Sequence, residues 1–255
     1  MSAEANFELE GITKRFGTLA AVDDVTVALG EPGITGLVGP NGAGKTTLFN
    51  LITGQLKPTA GVIRLDGIDV TDKAAADMAR LGIGRSFQDV RLFAGMSARD
   101  NVAVYAQEVS TGRISSTFLR LHRIRRTRRV AEARADEVLG YLGIAALGDL
   151  AAEALSFAQQ KLVAIARLLA LQPRILFLDE PASGLDEPGR EMLSAVIRRV
   201  ADDGLAVCFV EHNTHLVRAL STRVLFVDHG RIIADGSAED VFRDPRLAEV
   251  YLGLG

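Results

Sequence analysis

Apolar positions along the chain fall into two spacings. Phe7-Glu8-Leu9-Glu10-Gly11-Ile12 and Val25-Thr26-Val27-Ala28-Leu29 alternate with polar neighbours, the pattern of strands buried on one face. Val62-Ile63-Arg64-Leu65 and Ile68-Asp69-Val70 flank Asp66-Gly67, a dipeptide that favours a hairpin turn. These segments predict a small antiparallel sheet near the N-terminus. Elsewhere the runs are nearly continuous: Ile34 to Val38, Ile175 to Leu178, Leu205 to Val210 and Val224 to Val227. A continuous apolar run suits a strand covered on both faces, as in a parallel sheet. Ile83-Gly84-Arg85-Ser86-Phe87 reads as one more strand, and Arg231 to Ala234 finishes the sheet. From Asn101 to about Leu150 the composition shifts to Ala, Arg, Glu and Leu with helical spacing at Val130, Arg134, Val138 and Tyr141-Leu142. A strongly apolar helix follows from Ser156 to about Leu171, stopped by Pro173, and a short terminal helix is expected over Asp240 to Tyr251. The pattern predicts an α/β chain with a parallel-sheet core, an N-terminal antiparallel β subdomain and an inserted helical subdomain.

The chemistry collects where strands end. Gly39-Pro40-Asn41-Gly42-Ala43-Gly44-Lys45-Thr46-Thr47 joins the first buried strand to a helix that Gly54 can end, so it is a P-loop in the context a P-loop requires. Its backbone amides and the positive end of the new helix form an anion cradle. Lys45 would meet the β- and γ-phosphates of ATP, and Thr46 would hold Mg2+. Asp179 and Glu180 close the apolar run Ile175 to Leu178, at the strand end where ligands gather. Two acids at a strand end are by themselves equally an N-cap or a turn. With an upstream P-loop, Asp179 becomes a magnesium residue acting through its water shell, and Glu180 the residue that activates or orients the attacking water. His212 follows the next strand and is a further candidate for the site.

Three places keep two readings each. Phe16, between the first two strands, is a core aromatic by its period, or a platform on which adenine stacks. Gln88, leaving a strand, is a solvated turn residue, or a neutral ligand for magnesium and water. Ser156 and Gln159 have the spacing of a capping box, and the same helix N-terminus can receive a phosphate.

Composition narrows the classes. With 255 residues, 48% of them hydrophobic, the chain is long enough for one large domain carrying a subdomain, and no internal repeat or low-complexity linker divides it. A net charge of −3 gives no general case for nucleic-acid binding. The run Arg120-Leu121-His122-Arg123-Ile124-Arg125-Arg126-Thr127-Arg128-Arg129 is the local exception. It reads as a solvated helix face or as a surface near acidic headgroups or a membrane partner's loops, and it lacks the interleaved aromatics that nucleic acid would favour. Cys208, the single cysteine, lies in an apolar run and is expected to be a buried thiol in a reducing compartment. The acidic stretch Met1 to Glu10 has no signal-peptide character, and no apolar run approaches the roughly 18 residues of a membrane span. A soluble, cytoplasmic protein is expected, reaching a membrane only through partners.

Together these landmarks resemble the ATP-binding subunit of ABC transporters over essentially the whole chain. In that resemblance Gly39 to Thr46 match the P-loop, Phe16 the adenine-stacking aromatic and Gln88 the glutamine loop. Asp179 and Glu180 match the magnesium aspartate and catalytic glutamate, and His212 the switch histidine. Leu155-Ser156-Phe157-Ala158-Gln159 stands where the signature that contacts ATP on a second subunit belongs, and Ser183-Gly184-Leu185-Asp186 resembles the loop that crosses to that subunit. The resemblance implies a single ABC nucleotide-binding domain over 1–255. Its RecA-like P-loop NTPase core is expected over 1–88 and 160–255, with the helical subdomain over 89–159.

Glu211-His212-Asn213, the basic helical insertion and the terminal Tyr251-Leu252-Gly253 are similar to ATPases of branched-chain (hydrophobic) amino acid importers. That implies membrane permease subunits, a second ATPase subunit (a non-identical one favoured, an identical one the alternative), and a solute-binding protein reached indirectly. The chain would then sit on the inner face of the cell membrane. Lipid or lipopolysaccharide export, and a soluble scaffold or regulator as in iron–sulfur assembly, are the alternatives. One departure stands out: the family signature Leu-Ser-Gly-Gly-Gln has Phe157-Ala158 here. Were a positive φ required at Ala158, its Cβ would cost about 1–2 kcal/mol. It could also crowd an arriving γ-phosphate, so an ATP-binding module that barely hydrolyses is a further alternative.

Overall fold

The alternating runs and the continuous runs become two different sheets. In the computed structural model, which describes residues 6–86, 90–110, 120–245 and 247, β1 (Phe7–Phe16) pairs antiparallel with β2 (Leu19–Leu29) on one side and β4 (Ala60–Leu65) on the other, and β5 (Ile68–Asp69) extends that sheet. Phe7, Leu9, Ile12, Val25, Val27, Ile63 and Leu65 supply its buried face. Asp66 and Gly67 both adopt positive φ, at 53° and 76°, which is the twist a two-residue hairpin turn needs. Arg174 clamps that turn with two bonds to the Asp66 carboxylate, at 2.6 and 3.0 Å.

The second sheet runs β10-β9-β3-β8-β7-β6 and is parallel except for its edge strand β10. Its strands are β3 (Gly33–Val38), β6 (Ile83–Arg85), β7 (Ile175–Asp179), β8 (Ala206–Val210), β9 (Arg223–Asp228) and β10 (Arg231–Gly236). Every residue of β8 is buried, and so are the first four of β7, as expected for strands covered on both faces. Cys208 lies in β8 with its thiol pushed up to about 12 by burial, so it is an inert apolar residue. Helix α1 (Lys45–Ile52) packs Phe49 edge-on to Phe177 of β7 at 5.3 Å between ring centres, and Phe7 of the antiparallel sheet meets the same ring at 6.2 Å. One core thus holds both sheets and the P-loop helix. Three short helices missing from the sequence reading, or only partly in it, belong to the same unit: α2 (Ala75–Arg80), α7 (Thr214–Leu220) and α8 (Ala238–Arg243). The expected end of the terminal helix, to Tyr251, lies outside the described residues.

This first compact unit comprises the described residues of Met1–Arg85, Arg174–Pro181 and Ile197–Gly255; the second comprises those of Ser86–Pro173 and Ala182–Val196. In the second unit α3 (Ala98–Ser110), α4 (Arg120–Tyr141) and α5 (Phe157–Ala170) pack together. Asn101, fully buried, ties the entry to α3 by accepting from Phe93 N at 2.8 Å and donating to Ser97 O at 3.0 Å. Buried Arg167 of α5 lies over the rings of Tyr105 and Phe93 and donates to the carbonyl of Arg91. Of the basic run, the side chains of residues 120–126 lie outside the description; Arg128 pairs with Glu132 one turn on, at 2.6 Å. Helix α6 (Glu187–Asp202) begins in the second unit and ends in the first. No helix among the described residues is long and apolar enough to cross a membrane.

Candidate nucleotide-binding site

Strand register brings the chemistry to one level of the first unit. Val210 of β8 is opposite Leu37 of β3 and Asp179 of β7. The P-loop, the acidic pair and Glu211-His212 therefore leave the sheet side by side. The loop passes so close to its neighbours that side chains are excluded at two points. A Cβ on Gly39 would stand 2.0 Å from the Val227 carbonyl oxygen, and one on Gly44 would stand 2.1 Å from that of Ala21; both residues have positive φ. The β9–β10 turn supports the loop further, Gly230 N donating to Ala43 O at 2.9 Å and Gly230 O accepting from Asp23 N at the same distance.

Lys45, only 5% exposed, folds its ammonium onto the loop and donates to Gly39 O at 2.7 Å and Pro40 O at 2.8 Å. Burial lowers its pKa from the ordinary lysine value, and the negative charge of Glu180 opposes that shift. Around the loop opens a cleft of about 520 Å³ whose wall includes Phe16, Ala21, Asn41 to Thr47, His212 and His229. Phe16 is 50% exposed, so the reading of it as a core aromatic is corrected: it lines the cleft. The reason lies in β1: Ile12, buried after a first register shift, sets the phase that would bury Phe16, but the register shifts again between Ile12 and Lys14 and between Lys14 and Arg15, so that phase does not carry to Phe16.

Glu180 adopts a left-handed φ of 43°, rare for a residue with a side chain, while its amide still donates to Val210 O at 3.0 Å. Its Oε1 is 3.0 Å from His212 Nε2. Asn213 caps α7 by accepting from Leu216 N, which fixes the backbone just after that histidine. Asp179 is paired at Oδ2 with Arg85 at 3.2 Å. Burial holds the Asp179 carboxyl above the ordinary aspartate value, and Arg85 offsets part of that rise. The structure thus gathers Phe16, Asn41 to Thr47 and His212 around one cleft, with Gly39 and Pro40 holding the Lys45 ammonium, and links Glu180 to His212. Gln88 lies outside the described residues.

The remaining candidates belong to the second unit. Ser156 caps α5: its Oγ accepts from Gln159 N at 3.3 Å, and Gln159 Oε1 accepts from Ser156 N at 2.9 Å, the expected reciprocal box. Leu155 is buried and Phe157 half-exposed, its ring beneath Gly184, where an added Cβ would approach Cε1 to 3.0 Å. Ala158 lies in the first turn of α5 and has no positive φ, so the strain considered for it is absent. Asp186 Oδ1 accepts from Gly189 N and starts α6, while Ser183 and Gly184 are exposed and Leu185 is buried.

Sequence reasoning passed over two residues beside the site. Arg85 was legible only as an arginine inside an apolar strand. His229, at a φ of 44° in the β9–β10 turn, carried only the signal of standing before a glycine.

A family model described as ABC transporter matches residues 22–183. The chain is 36% identical over 247 residues to the high-affinity branched-chain amino acid transport ATP-binding protein BraF of Pseudomonas aeruginosa, covering 96% of this chain and 97% of that one. It is 31% identical over 246 residues to the lipopolysaccharide export system ATP-binding protein LptB of Acidithiobacillus ferridurans, with 96% of each covered. Among solved structures, the ADP conformation of an ATP-binding cassette of an ABC transporter superposes with a TM-score of 0.83 at 27% identity, covering 98% of this chain and all of that one.

Proposed function

The chain belongs to the ABC transporter family as one of its ATP-hydrolysing subunits, and from that premise we propose that it powers the uptake of branched-chain or related amino acids. The near-full-length likeness to BraF supports this choice of solute. Lipopolysaccharide export is the second reading, favoured by the lower likeness to LptB. In the proposal the chain docks on the cytoplasmic face of the membrane against permease subunits and pairs with a second cassette, a non-identical one favoured. A solute-binding protein acts on the far side. The helical arm, residues 89–159 by sequence, would carry the signature to the partner's nucleotide.

One observation carries the hydrolytic reading: Glu180 and His212 are joined at 3.0 Å, beside a P-loop whose lysine feels the charge of Glu180. ATP would stack its base on Phe16 and lay its phosphates along the amides of Gly42 to Thr47. Lys45 would exchange the carbonyls of Gly39 and Pro40 for phosphate oxygens. Glu180 would take the proton of the water attacking the γ-phosphorus, or hold that water in line, as the bond to ADP breaks. His212 would orient Glu180 and touch the γ-phosphate. A magnesium ion suits the residues present, because the Thr46 hydroxyl and Asp179 carboxylate are hard oxygen donors and Asp179 already holds a cation, Arg85. Bound there, with Gln88 as a further ligand, the ion would neutralise phosphate charge. Ser156 to Gln159 and the loop Ser183 to Asp186 would complete the partner's site, as the partner would complete this one.

Extraction of the intact complex in gentle detergent, followed by reconstitution in vesicles, tests the solute. ATP-dependent accumulation of leucine with a co-purifying binding protein is expected. Co-purification of lipid-export components, with no amino acid moved, would favour the second reading.

A further inference from the structure

Arg85 has no role in the hydrolytic reading, yet it is held against the proposed metal carboxylate by its own strand β6 and by contacts from α1 and its C-cap. In the parallel register Arg85 of β6 is opposite Phe177 of β7, and Asp179 lies two residues on along the same strand face. Its guanidinium donates to Asp179 Oδ2 at 3.2 Å and to Thr53 Oγ1 at 2.6 Å, and it sits 5.5 Å from the centre of the Phe49 ring. Thr53 is itself fixed, donating to Phe49 O at 2.8 Å. The two charged side chains are 11% and 14% exposed, a depth at which an ion is costly unless paired. A divalent ion at the same carboxylate would bring two more positive charges close to that guanidinium, in surroundings that screen them poorly.

We propose that Arg85 is a built-in counter-cation for Asp179: a positioning residue that holds the carboxylate before the metal comes and keeps a bare divalent ion out until nucleotide phosphates accompany it. The proposal rests on the reading of Asp179 as a magnesium residue. It makes cation binding conditional on nucleotide, because phosphate charge is what offsets the repulsion from Arg85. Arg85→Lys keeps the charge without the planar fork; Arg85→Gln keeps hydrogen-bonding capacity without the charge.

The test uses the full chain and Mn2+ as the probe, by electron paramagnetic resonance and thermal melting, with and without ADP. Without nucleotide, Arg85→Gln should bind Mn2+ about tenfold or more tightly than the unmodified chain, a factor of ten being about 1.4 kcal/mol. Without ligands Arg85→Gln should melt below the unmodified chain; Mn2+ alone should raise its melting temperature and leave the unmodified chain and Arg85→Lys unmoved, and with Mn2+ and ADP its deficit should shrink. Equal Mn2+ binding in Arg85→Gln and the unmodified chain would overturn the proposal. So would a melting deficit that is the same in every condition, the mark of a purely structural role, or a variant that stays unfolded when Mn2+ is added. If the unmodified chain with ADP took up no Mn2+ that Asp179→Asn abolishes, the magnesium reading itself would fail, whatever Arg85 does.

Discussion

In the first unit, groups from the ends of four strands, β3, β6, β7 and β8, stand together: a lysine folded onto its own loop, a glutamate joined to a histidine, an aspartate joined to an arginine. In the second, Ser156 and Gln159 close on each other, and the Lys161 ammonium lies over the neighbouring Phe157 ring. The first site is charged, partly buried and held by sheet register before any ligand arrives. The second is a complete helix cap, satisfied locally, with an exposed aromatic beside it. In the pairing proposed above, each chain would supply one half of each site: the phosphate cradle from the first unit and the helix cap from the second. The difference also says where a substitution should be felt: on chemistry in the first unit, on closure in the second.

The sharpest way to break this division is at Glu180. Glu180→Gln should lower phosphate release by about 10²–10⁴-fold while nucleotide still binds, measured in turnover and equilibrium-binding assays. Lys45→Ala should cost about 10²–10³-fold in turnover, and unlike Glu180→Gln it should weaken nucleotide binding to the isolated chain. Next comes Phe16→Ala. If the exposed ring is the base platform, the Kd for ATP should rise about 5- to 150-fold, corresponding to about 1–3 kcal/mol. A Kd within twofold of the unmodified chain would return Phe16 to an ordinary surface residue.

Substitutions in the second unit should be smaller on the isolated chain. Ser156→Ala removes a cap worth about 1 kcal/mol, lowering the melting temperature by about 2–4 °C. It should leave the Kd of the chain's own P-loop unchanged and slow turnover of the assembled pair. The smallest effect is expected from Ala158→Gly: no faster turnover, because Ala158 carries no backbone strain to relieve, and a stability loss of about 0.5–1 kcal/mol by chemical denaturation. A large gain in turnover would instead mean that the Ala158 methyl obstructs a phosphate.

The P-loop was legible because glycines, a lysine and flanking apolar runs report backbone conformation and charge locally, and the two near-clashes at Gly39 and Gly44 explain why those glycines stand there. The cap at Ser156 was legible for the same reason, since its partner is three residues away. Whether Phe16 was buried or exposed stayed open between two readings, and Arg85 was passed over. The first depends on irregular register within β1, and the second on which strand lies beside β7. Periodicity along one segment carries neither fact. Helices α2 and α7 escaped notice because six or seven residues are too few to establish a helical period.

The account turns on nucleotide joining two cassettes, and the most direct measurement is the mass of the Glu180→Gln chain by light scattering. It should be made alone and with the co-expressed second cassette of its transporter, before and after ATP. The account predicts that ATP converts one of these preparations into a stable two-cassette species, and that adding Lys45→Ala to both cassettes abolishes the conversion. ATP bound with every cassette remaining single in both preparations would contradict it.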